Sequence, residues 1–282
     1  ANSGSLGSTN DGSYAFGVTP AVVGSRSPQF AGMTSDNNAV DMNGTSGRII
    51  VPPLPINTDS ATYTCWVKRN GSQVSFAGLM FTRPVATGLS FDGANRLSYT
   101  WNDAANTYNF QSGLTLPDGV WTFCAATITP TNAILYLGST NGLKSATNNV
   151  THTAHDFSSA VFNLGWDSGT RYLKGALDEA AIFDQALDYN AISQLFYSAT
   201  PAVPLLSRTP ADPLYEGMTI TLTAYGVASG PVNYQWRKGG VNLNGKTASS
   251  LVVNNATTAD SGNYDVVVTF GEGWKSVAVR EF

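Results

Sequence analysis

The segment GALDEAAIFDQALDYNAISQLF, residues 175–196, carries the most specific structural pattern in the chain. An apolar, strand-like run is followed by Asp188, a residue type that caps helix N-termini with its side-chain oxygen. Ile192, Leu195 and Phe196 then follow at the i, i+3, i+4 spacing that places side chains on one helix face. The segment therefore predicts a strand that leads into one short amphipathic helix.

Outward from this segment, the composition is typical of a β protein. Only 12% of the 282 residues are charged, and 28 are glycine. Short apolar or alternating runs, such as TYTCWVK at 62–68 and VWTFCAATI at 120–128, recur between polar turns. A repeated rhythm of strand and turn predicts a β-sandwich or jelly roll.

Charge and hydropathy exclude two classes of partner. The net charge is −4 and no run of Lys and Arg exceeds two residues, whereas nucleic-acid binding requires a basic patch. No apolar run approaches the roughly 20 residues that cross a bilayer. The start, ANSGSLGSTNDGSYAFG, lacks both Met and an apolar signal core, which is typical of a mature secreted protein or a trimmed chain.

The chain has two cysteines, Cys65 and Cys124, each in a strand-like run. They are too few for a cysteine zinc site. They are either two buried thiols or one disulfide, and the disulfide requires neighbouring strands with Cα atoms within about 7 Å.

Local composition predicts the domain organisation. Residues 1–30 are rich in Gly, Ser and Asn, so we expect order there only if the segment packs on its own domain or on a neighbouring copy. Four prolines between residues 201 and 213 favour a stiff connection. The predicted parts are an N-terminal tail or strand at 1–30, a first domain at 31–200, a Pro-rich linker at 201–212 and a second domain at 213–282.

The second domain resembles an immunoglobulin-like domain of the I-set kind. It carries the motif D-x-G-x-Y at 260–264 and a central Trp236. The resemblance implies that the Tyr264 hydroxyl bonds back to the preceding backbone and that Trp236 lies in the core. The usual cysteine positions hold Ala224 and Val266, so the domain must rely on apolar packing.

Four segments of the first domain, in this order, resemble the bacterial laminin-G-like domain, a concanavalin A-like lectin/glucanase jelly roll. They are AVDMNGTSGRIIVP at 39–52, ATYTCWVKRNG at 61–71, LPDGVWTFCAATITPTNAILYLG at 116–138 and LKGALDEAAIFDQALDYNAISQLF at 173–196. The implied fold class is all-β, a concanavalin-like jelly-roll sandwich plus a smaller immunoglobulin-like β-sandwich. The tandem is similar to large surface proteins of environmental bacteria, which implies an extracellular or cell-surface location.

Asp178 and Glu179 raise the question of catalysis. As neighbours on a strand they point to opposite faces, so they cannot form the paired carboxylates of a glycosidase. The E-x-D-x-x-E run of hydrolases with this jelly roll is absent from the sequence. We therefore predict a protein that is not an enzyme, with no catalytic residues.

The resemblance also implies a structural calcium ion. Asp178 would be its side-chain ligand, and Asp41, Asn43 and Gly44 would supply further oxygens, since calcium takes six to eight. The alternative is that Asp178 accepts backbone N–H bonds at a strand corner. In both cases the residue ties the N-terminal strand to the C-terminal one.

Aromatic and amide side chains interleave in LSYTWNDAANTYNF, residues 97–110. Sugar sites combine aromatic platforms with hydrogen-bonding amides and carboxylates. The candidate glycan-binding residues are Trp101, Asn102, Asp103 and Tyr108, together with Trp166 and Asp167 at another strand end. The alternative is that Tyr99 and Trp101 form the core face of a strand.

The stretch THTAH holds His152 and His155, with Asp156 next to them. A zinc site would need more imidazole or thiolate ligands. We predict a solvated loop.

Together these patterns predict a non-catalytic extracellular surface protein for adhesion or glycan binding, whose partner is a glycan or a surface protein. The alternative is a self-assembling subunit of a bacterial surface filament, sheath or matrix. In that case copies would join through the N-terminal tail by strand pairing.

Overall fold

The structure is a computed structural model that describes residues 4–26, 30, 32–139, 142–199, 205–225, 233–269 and 275–281. The chain divides into two compact units. The larger unit comprises Ala1–Ser25 and Asp36–Phe196, and the smaller unit comprises Arg26–Ser35 and Tyr197–Phe282. Among the described residues, no helix is long and apolar enough to cross a membrane.

The larger unit consists almost entirely of short strands. In chain order its elements are β1 (Ser13–Tyr14), β2 (Val18–Val23), β3 (Asn38–Asn43), β4 (Ile49–Val51), β5 (Asn57–Thr58), β6 (Ala61–Arg69), β7 (Gly78–Thr82), β8 (Thr87–Phe91), β9 (Leu97–Thr100), the helix α1 (Ala105–Tyr108), β10 (Thr122–Ile128), β11 (Ala133–Ser139), β12 (Gly142–Asn148), β13 (His155–Asp156), β14 (Phe162–Leu164), β15 (Lys174–Phe183) and the start of α2 (Tyr189–Ala199).

Two antiparallel sheets form a sandwich. One has six strands in the order β1-β4-β14-β7-β8-β9, and the other has seven in the order β12-β11-β10-β6-β15-β3-β2. A single apolar cluster includes Leu89 and Leu97 of the first sheet and Val67 and Leu135 of the second. Antiparallel sheets that bury alternate residues against each other define this fold, so the predicted all-β sandwich is confirmed.

The six-stranded sheet has a second, non-core face. Side chains alternate along a strand, and directly paired residues share a face. Ser90 pairs with Ser98, and Phe81 pairs with Asn163. All four are buried but do not belong to the core cluster. We call the side to which they point the outer face of the six-stranded sheet.

The N-terminal segment is tied to its own unit. β1 pairs with β4 of the six-stranded sheet, and β2 pairs with β3 of the seven-stranded sheet. The two strands take up 8 of the 24 described residues of the predicted tail. Pairing of this segment with another copy stays a prediction.

The helix predicted from residues 175–196 is present as α2. The Asp188 carboxylate accepts a hydrogen bond of 2.8 Å from the Ala191 N–H, as a helix cap does. Ile192 and Phe196 are fully buried, but Leu195 is 37% exposed. Leu195 therefore does not share the buried face of the helix, contrary to the prediction. That face follows Ile192 and Phe196, and Leu195 lies near its edge.

Cys65 and Cys124 are free cysteines and directly opposed on β6 and β10. Both are fully buried. Burial raises the pKa of the Cys65 thiol to about 12, because the thiolate would lose its hydration. Of the two predicted states, the structure therefore shows the buried thiols.

The smaller unit holds two further antiparallel sheets. Its strands are β16 (Leu205–Thr209), β17 (Ile220–Tyr225), β18 (Asn233–Lys238), β19 (Val241–Asn242), β20 (Ser250–Val253), β21 (Asn263–Thr269) and β22 (Lys275–Glu281). They form a three-stranded sheet, β16-β17-β20, and a four-stranded sheet, β19-β18-β21-β22. Part of the predicted linker at 201–212 is thus strand β16; residues 201–204 lie outside the described residues.

The two contacts predicted for the smaller unit are present. The Tyr264 hydroxyl donates a hydrogen bond of 2.9 Å to the Asp260 carbonyl. Trp236 is completely buried, and its indole N–H donates to the Ala248 carbonyl at 2.9 Å. The unit therefore has the apolar centre and the backbone corner that its sequence predicted.

Candidate functional site

Asp178 sits at a corner between the N-terminal segment and the closing strand β15, and it is 7% exposed. Its Oδ2 accepts hydrogen bonds from the Ser25 N–H at 3.0 Å, the Ser25 hydroxyl at 2.9 Å and the Asn37 amide at 2.8 Å. Its Oδ1 accepts from the Glu179 N–H at 3.0 Å. The carboxylate therefore joins three chain segments through four donors.

The backbone around Asp178 is shaped to allow these bonds. The pairing of β15 with β6 shifts register between Asp178 and Ala181, which marks a β-bulge. Glu179 has a φ of 47°, in the left-handed region. A Cβ on Gly24 would lie 2.7 Å from the Asp178 Oδ2, so glycine lets the chain approach the carboxylate.

Glu179 does not join Asp178 in a shared site. Glu179 is exposed while Asp178 is buried. Partial burial and the nearby Asp178 raise the pKa of the Glu179 carboxyl. The arrangement offers no pair of carboxylates that face a common substrate.

Hydrogen bonds within the chain engage side-chain oxygens of Asp178 and Asn43, two of the residues predicted to bind calcium. Both oxygens of Asp178 are occupied by hydrogen-bond donors, and the Asn43 Oδ1 accepts from the backbone N–H groups of residues 45–47. Asp41 lies within β3, which is paired on both sides, and Gly44 forms the turn that follows. In the described chain, no three His, Cys, Asp or Glu side chains are grouped to hold a metal. Calcium binding stays a prediction, and the contacts favour the hydrogen-bonded corner.

The predicted solvated loop at His152 and His155 is wrong, because both imidazoles are buried. The His152 Nδ1 lies 2.8 Å from the Thr129 carbonyl. Since a carbonyl only accepts, Nδ1 carries the proton and Nε2 accepts from the Tyr99 hydroxyl at 3.1 Å. Asn148 in turn donates to the Tyr99 oxygen at 2.8 Å. The ring belongs to a closed hydrogen-bond network.

His155 forms a second network with Asn102. The Asn102 amide donates to the carbonyls of Thr153 and Ala154 at 3.1 Å, and its Oδ1 accepts from the His155 Nδ1 at 2.5 Å. The Thr87 hydroxyl also lies 3.1 Å from this nitrogen. The His155 Nε2 is buried without a hydrogen-bond partner. Burial lowers the pKa of both histidines.

Trp101 lies between the two histidines and is 1% exposed. Its indole N–H donates to the Thr153 carbonyl at 2.7 Å. Its ring makes edge contacts with His152, His155 and Phe157 at centroid distances of 6.0–6.1 Å. Trp101 is therefore a core residue, as the alternative reading predicted, and its assignment as a glycan platform was wrong.

A different group of side chains meets at the surface of the larger unit. It is a mixture of arginine, aspartate and aromatic residues, and we call it the arginine–aromatic cluster. Its members are Phe76, Arg83, Asp103, Tyr108, Asp167 and Arg171.

Asp167 is the buried centre of the cluster, with a side chain 1% exposed. Its Oδ1 pairs with the Arg83 Nη2 at 2.6 Å, and its Oδ2 pairs with the Arg171 Nη1 at 2.8 Å. Arg83 also lies 3.7 Å from the exposed Asp103 carboxylate. Charge-assisted bonds of this kind fix the planar guanidinium groups in place.

Two half-buried aromatic rings complete the cluster. Phe76 and Tyr108 meet edge to face, with ring centroids 6.2 Å apart. The Arg171 guanidinium carbon lies 4.8 Å from the centre of the Phe76 ring, in cation–π geometry. Phe76 has a φ of 63°, which is strained for a bulky residue and is found mainly at functional sites.

The cluster lies on the outer face of the six-stranded sheet. Gly78 pairs with Ser90, and a Cβ on Gly78 would lie 2.4 Å from the backbone of Trp166. The chain at residues 166–167 therefore crosses the sheet on the outer side. The Arg83 guanidinium lies 5.6 Å from the centre of the Phe81 ring, which points to the same side.

The sheet beneath this crossing has a polar floor. The Ser90 Oγ, the Ser98 Oγ and the Asn163 Oδ1 are all buried without a hydrogen-bond partner. A buried polar group that lacks a partner costs about 1–3 kcal/mol.

Trp166 extends the cluster on one side. The Arg48 guanidinium lies 4.1 Å from the centre of its ring, and the Tyr172 ring is 6.0 Å away. Its indole N–H donates to the Gly169 carbonyl at 3.1 Å. The half-buried indole is thus held between an arginine and a second aromatic ring.

The structure brings together only part of the predicted glycan set. Asp103, Tyr108 and Asp167 lie in the cluster, and Trp166 lies beside it. Trp101 and Asn102 belong instead to the buried histidine networks. Asp167 is enclosed by two arginines, so its role in the cluster is to position them.

Sequence reasoning missed Phe76, Arg83 and Arg171. One signal was available, since Arg171 follows Asp167 at the i+4 spacing that brings them together here. Phe76 precedes β7 and Arg83 follows it, without any local pattern. Only strand pairing brings them near residues 103–108 and 167–171.

The family assignment agrees with this fold. The family model described as the concanavalin A-like lectin/glucanases superfamily matches residues 43–193. That span is more than half of the chain, and the protein belongs to this family. The resemblance of the first domain, stated from four sequence segments, is confirmed.

Similar solved structures share little sequence with the chain. Domain 4 of AbnA, an extracellular GH43 arabinanase from Geobacillus stearothermophilus, in complex with arabinotriose, has 21% identity and a TM-score of 0.46, covering 56% of this chain and 76% of that one. The binding domain of Paraclostridial Mosquitocidal Protein 1 has 12% identity and a TM-score of 0.44, covering 93% and 73%. The binding domain of Botulinum Neurotoxin DC in complex with SialylT has 12% identity and a TM-score of 0.41, covering 90% and 66%. No curated protein matches the sequence.

Proposed function

We propose that the protein is a non-catalytic carbohydrate-binding module of an extracellular or cell-surface protein, and that it holds its glycan at the arginine–aromatic cluster. The observation that carries this proposal is the edge-to-face pair of Phe76 and Tyr108 beside Arg171. Aromatic rings cover the apolar C–H faces of a sugar, and guanidinium and carboxylate groups bond to its hydroxyls. The cluster supplies both kinds of group within one surface.

The carboxylates of the cluster support binding without hydrolysis. Glycoside hydrolysis takes two carboxyl groups that flank the scissile bond. Asp167 is buried, and each of its oxygens is paired with an arginine. Asp103 alone is accessible to a ligand, so the cluster lacks the pair that bond cleavage needs.

We infer further that the smaller unit is an immunoglobulin-like domain that acts as a spacer. The Tyr264–Asp260 hydrogen bond, the buried Trp236 and the two facing sets of strands support this assignment. Such folds carry many functions, so the spacer role rests on the resemblance alone.

A glycan array followed by calorimetry tests the proposal. The intact chain should bind at least one polysaccharide class, and Tyr108→Ala should weaken that binding about tenfold, because stacking on one ring contributes roughly 1 kcal/mol or more. Tyr215→Ala, which removes an exposed tyrosine of the smaller unit, is the matched control. Absence of binding to every glycan, or equal effects of the two variants, would overturn the proposal.

A further inference from the structure

We propose that the arginine–aromatic cluster selects carboxylate-bearing sugars, such as uronic or sialic acids, and that Arg171 is the group that contacts the sugar carboxylate. This inference rests on the proposed function and adds the chemical class of its ligand. It follows from a comparison of the carboxylate partners of Arg83 with those of Arg171.

Arg83 and Arg171 differ in how much of their bonding capacity is free. Arg83 bonds to Asp167 through Nε and Nη2 and lies near Asp103 through Nη1, so the protein compensates its charge. Arg171 bonds to Asp167 through Nη1, and its side chain is 39% exposed. A guanidinium carries five N–H donors, and the contact of Arg171 with Asp167 uses one of them.

Arg171 is also held in one orientation. The Asp167 carboxylate fixes one edge of its guanidinium, and the Phe76 ring supports its face. Because the Arg171 guanidinium is already oriented, it loses little conformational entropy when it binds a carboxylate with two parallel hydrogen bonds. Charge-assisted bonds are roughly twice as strong as neutral ones, so an acidic sugar gains more from this group than a neutral sugar does.

The local charge favours an anion although the chain as a whole is acidic. Within the cluster, Arg83 and Arg171 balance the charges of Asp103 and Asp167. Arg48, which lies over the Trp166 ring beside the cluster, adds one positive charge. The net charge of the chain is −4. The net charge at this surface is therefore positive although that of the whole chain is negative, and the surface would attract an anion.

The exposed part of the cluster argues for a glycan over an apolar protein surface. The exposed aromatic area consists of the half-buried rings of Phe76, Tyr108 and Trp166. Scattered rings between charged groups match the alternating apolar and hydroxyl-rich surfaces of a sugar chain.

The test compares each acidic ligand with a neutral form of the same size. Oligogalacturonate and sialyllactose are titrated into the intact protein, each beside its own methyl ester, which removes the charge and keeps the sugar. We expect the free acid that binds to do so about tenfold or more tightly than its ester, with an affinity that falls as salt rises. Equal binding of acid and ester would overturn the inference.

A variant then assigns the effect to Arg171. Arg171→Gln should weaken the binding of the acid about tenfold more than that of the ester, so that the preference for the acid is lost. Arg171→Lys should restore only part of the preference, because an ammonium lacks the planar guanidinium geometry. Lys144→Gln, which removes one exposed positive charge from strand β12 of the other sheet, is the control. If Arg171→Gln fails to fold, the comparison of acid with ester in the unmodified protein still decides the matter.

The outcomes separate this inference from the proposed function. If neither these ligands nor any other glycan of the array binds, the proposed function fails and the inference fails with it. If glycans bind but acid and ester bind equally, or if Arg171→Gln weakens both equally, only the preference for carboxylates is wrong. Binding of sulfated sugars in place of carboxylated ones would also overturn the inference and leave the proposed function intact.

Discussion

Asp178, within β15, and Asp167, which follows β14, are both buried aspartates, yet their surroundings differ. Asp178 accepts bonds from neutral donors, the Ser25 backbone and hydroxyl, the Asn37 amide and the Glu179 N–H. Asp167 is held by two guanidinium groups that reach the surface. A carboxylate surrounded by local neutral donors braces the fold, whereas one that positions exposed arginines builds a surface. The comparison shows that burial alone does not separate a structural aspartate from one that serves a site.

The largest expected effect is on stability, at the Asp178 corner. Asp178→Ala leaves four donors without their acceptor, two of them from the buried Ser25, and each unmet buried group costs about 1–3 kcal/mol. We expect a loss of roughly 2–4 kcal/mol in the free energy of unfolding, measured by urea denaturation. Glycan affinity should stay unchanged.

Asp184→Ala is the control for this variant, because Asp184 is exposed on the same strand-to-helix segment. It should change stability by less than about 0.5 kcal/mol. A value for Asp178→Ala in the same small range would contradict the bracing role.

The second effect, at Asp167, should fall mainly on binding. Asp167→Asn removes the negative charge that orients Arg83 and Arg171, so their guanidinium groups are no longer held in place. We expect glycan affinity to fall about tenfold, with a stability loss of about 1–3 kcal/mol, because the arginines are partly exposed and can be rehydrated. Calorimetry measures the loss of glycan affinity, and urea denaturation of the same sample measures the loss of stability. If Asp167→Asn and Asp178→Ala lost affinity and stability in the same proportion, the distinction between the two aspartates would be wrong.

The third effect is a dependence of stability on pH, and it concerns the buried side chains of His152 and His155. Burial lowers the pKa of His152 and His155 below the ordinary value of 6.5. Their contribution to stability is therefore present above pH 6.5, and it is lost as the pH falls below 6.5 toward the folded-state pKa values. We expect the melting temperature to fall over that interval.

The double variant His152→Gln, His155→Gln tests this assignment. Its melting temperature should be lower at pH 8 but should lose most of its dependence on pH below 6.5. A pH dependence equal to that of the unmodified protein would show that groups other than these two histidines control acid stability. Asp41 and Glu179 cannot be those groups, because their raised pKa values make folding more favourable as the pH falls.

The smallest effect is expected from calcium. Because donors occupy both oxygens of Asp178, neither added calcium nor a chelator should change the melting temperature measurably. A rise of several degrees with calcium, lost in Asp178→Ala, would restore the metal-ligand role predicted by resemblance.

Local pattern was enough to predict much of the fold. The capped helix after Asp188, the buried Trp236 and the Tyr264 hydrogen bond each depend on residues within a few positions or on a short motif. The strand–turn rhythm predicted the sandwich because alternation reflects burial on one face directly. Asp178 was recognised as a corner, but its donors Ser25 and Asn37 lie more than 140 positions away and could not be read from the sequence.

The site was predicted only in part, for the same physical reason. Asp103 and Tyr108 were chosen from a stretch that also holds Trp101, and nothing local showed that Trp101 points into the core while its neighbours face out. The loop THTAH looked solvated because its residues are polar, although Tyr99, Asn102 and Thr129 bury it through hydrogen bonds.

The sequence by itself determined the fold class and the closing strand and helix, because these follow from periodicity and short motifs, but it left Asp178 open between a calcium ligand and a hydrogen-bonded corner. The tertiary structure alone decided which polar side chains share a surface. Phe76, Arg83 and Arg171 meet because β14, β7, β8 and β9 pair in that order and the chain at 166–167 crosses over Gly78. Strand register between distant segments sets these positions, and register is a property of the whole sheet.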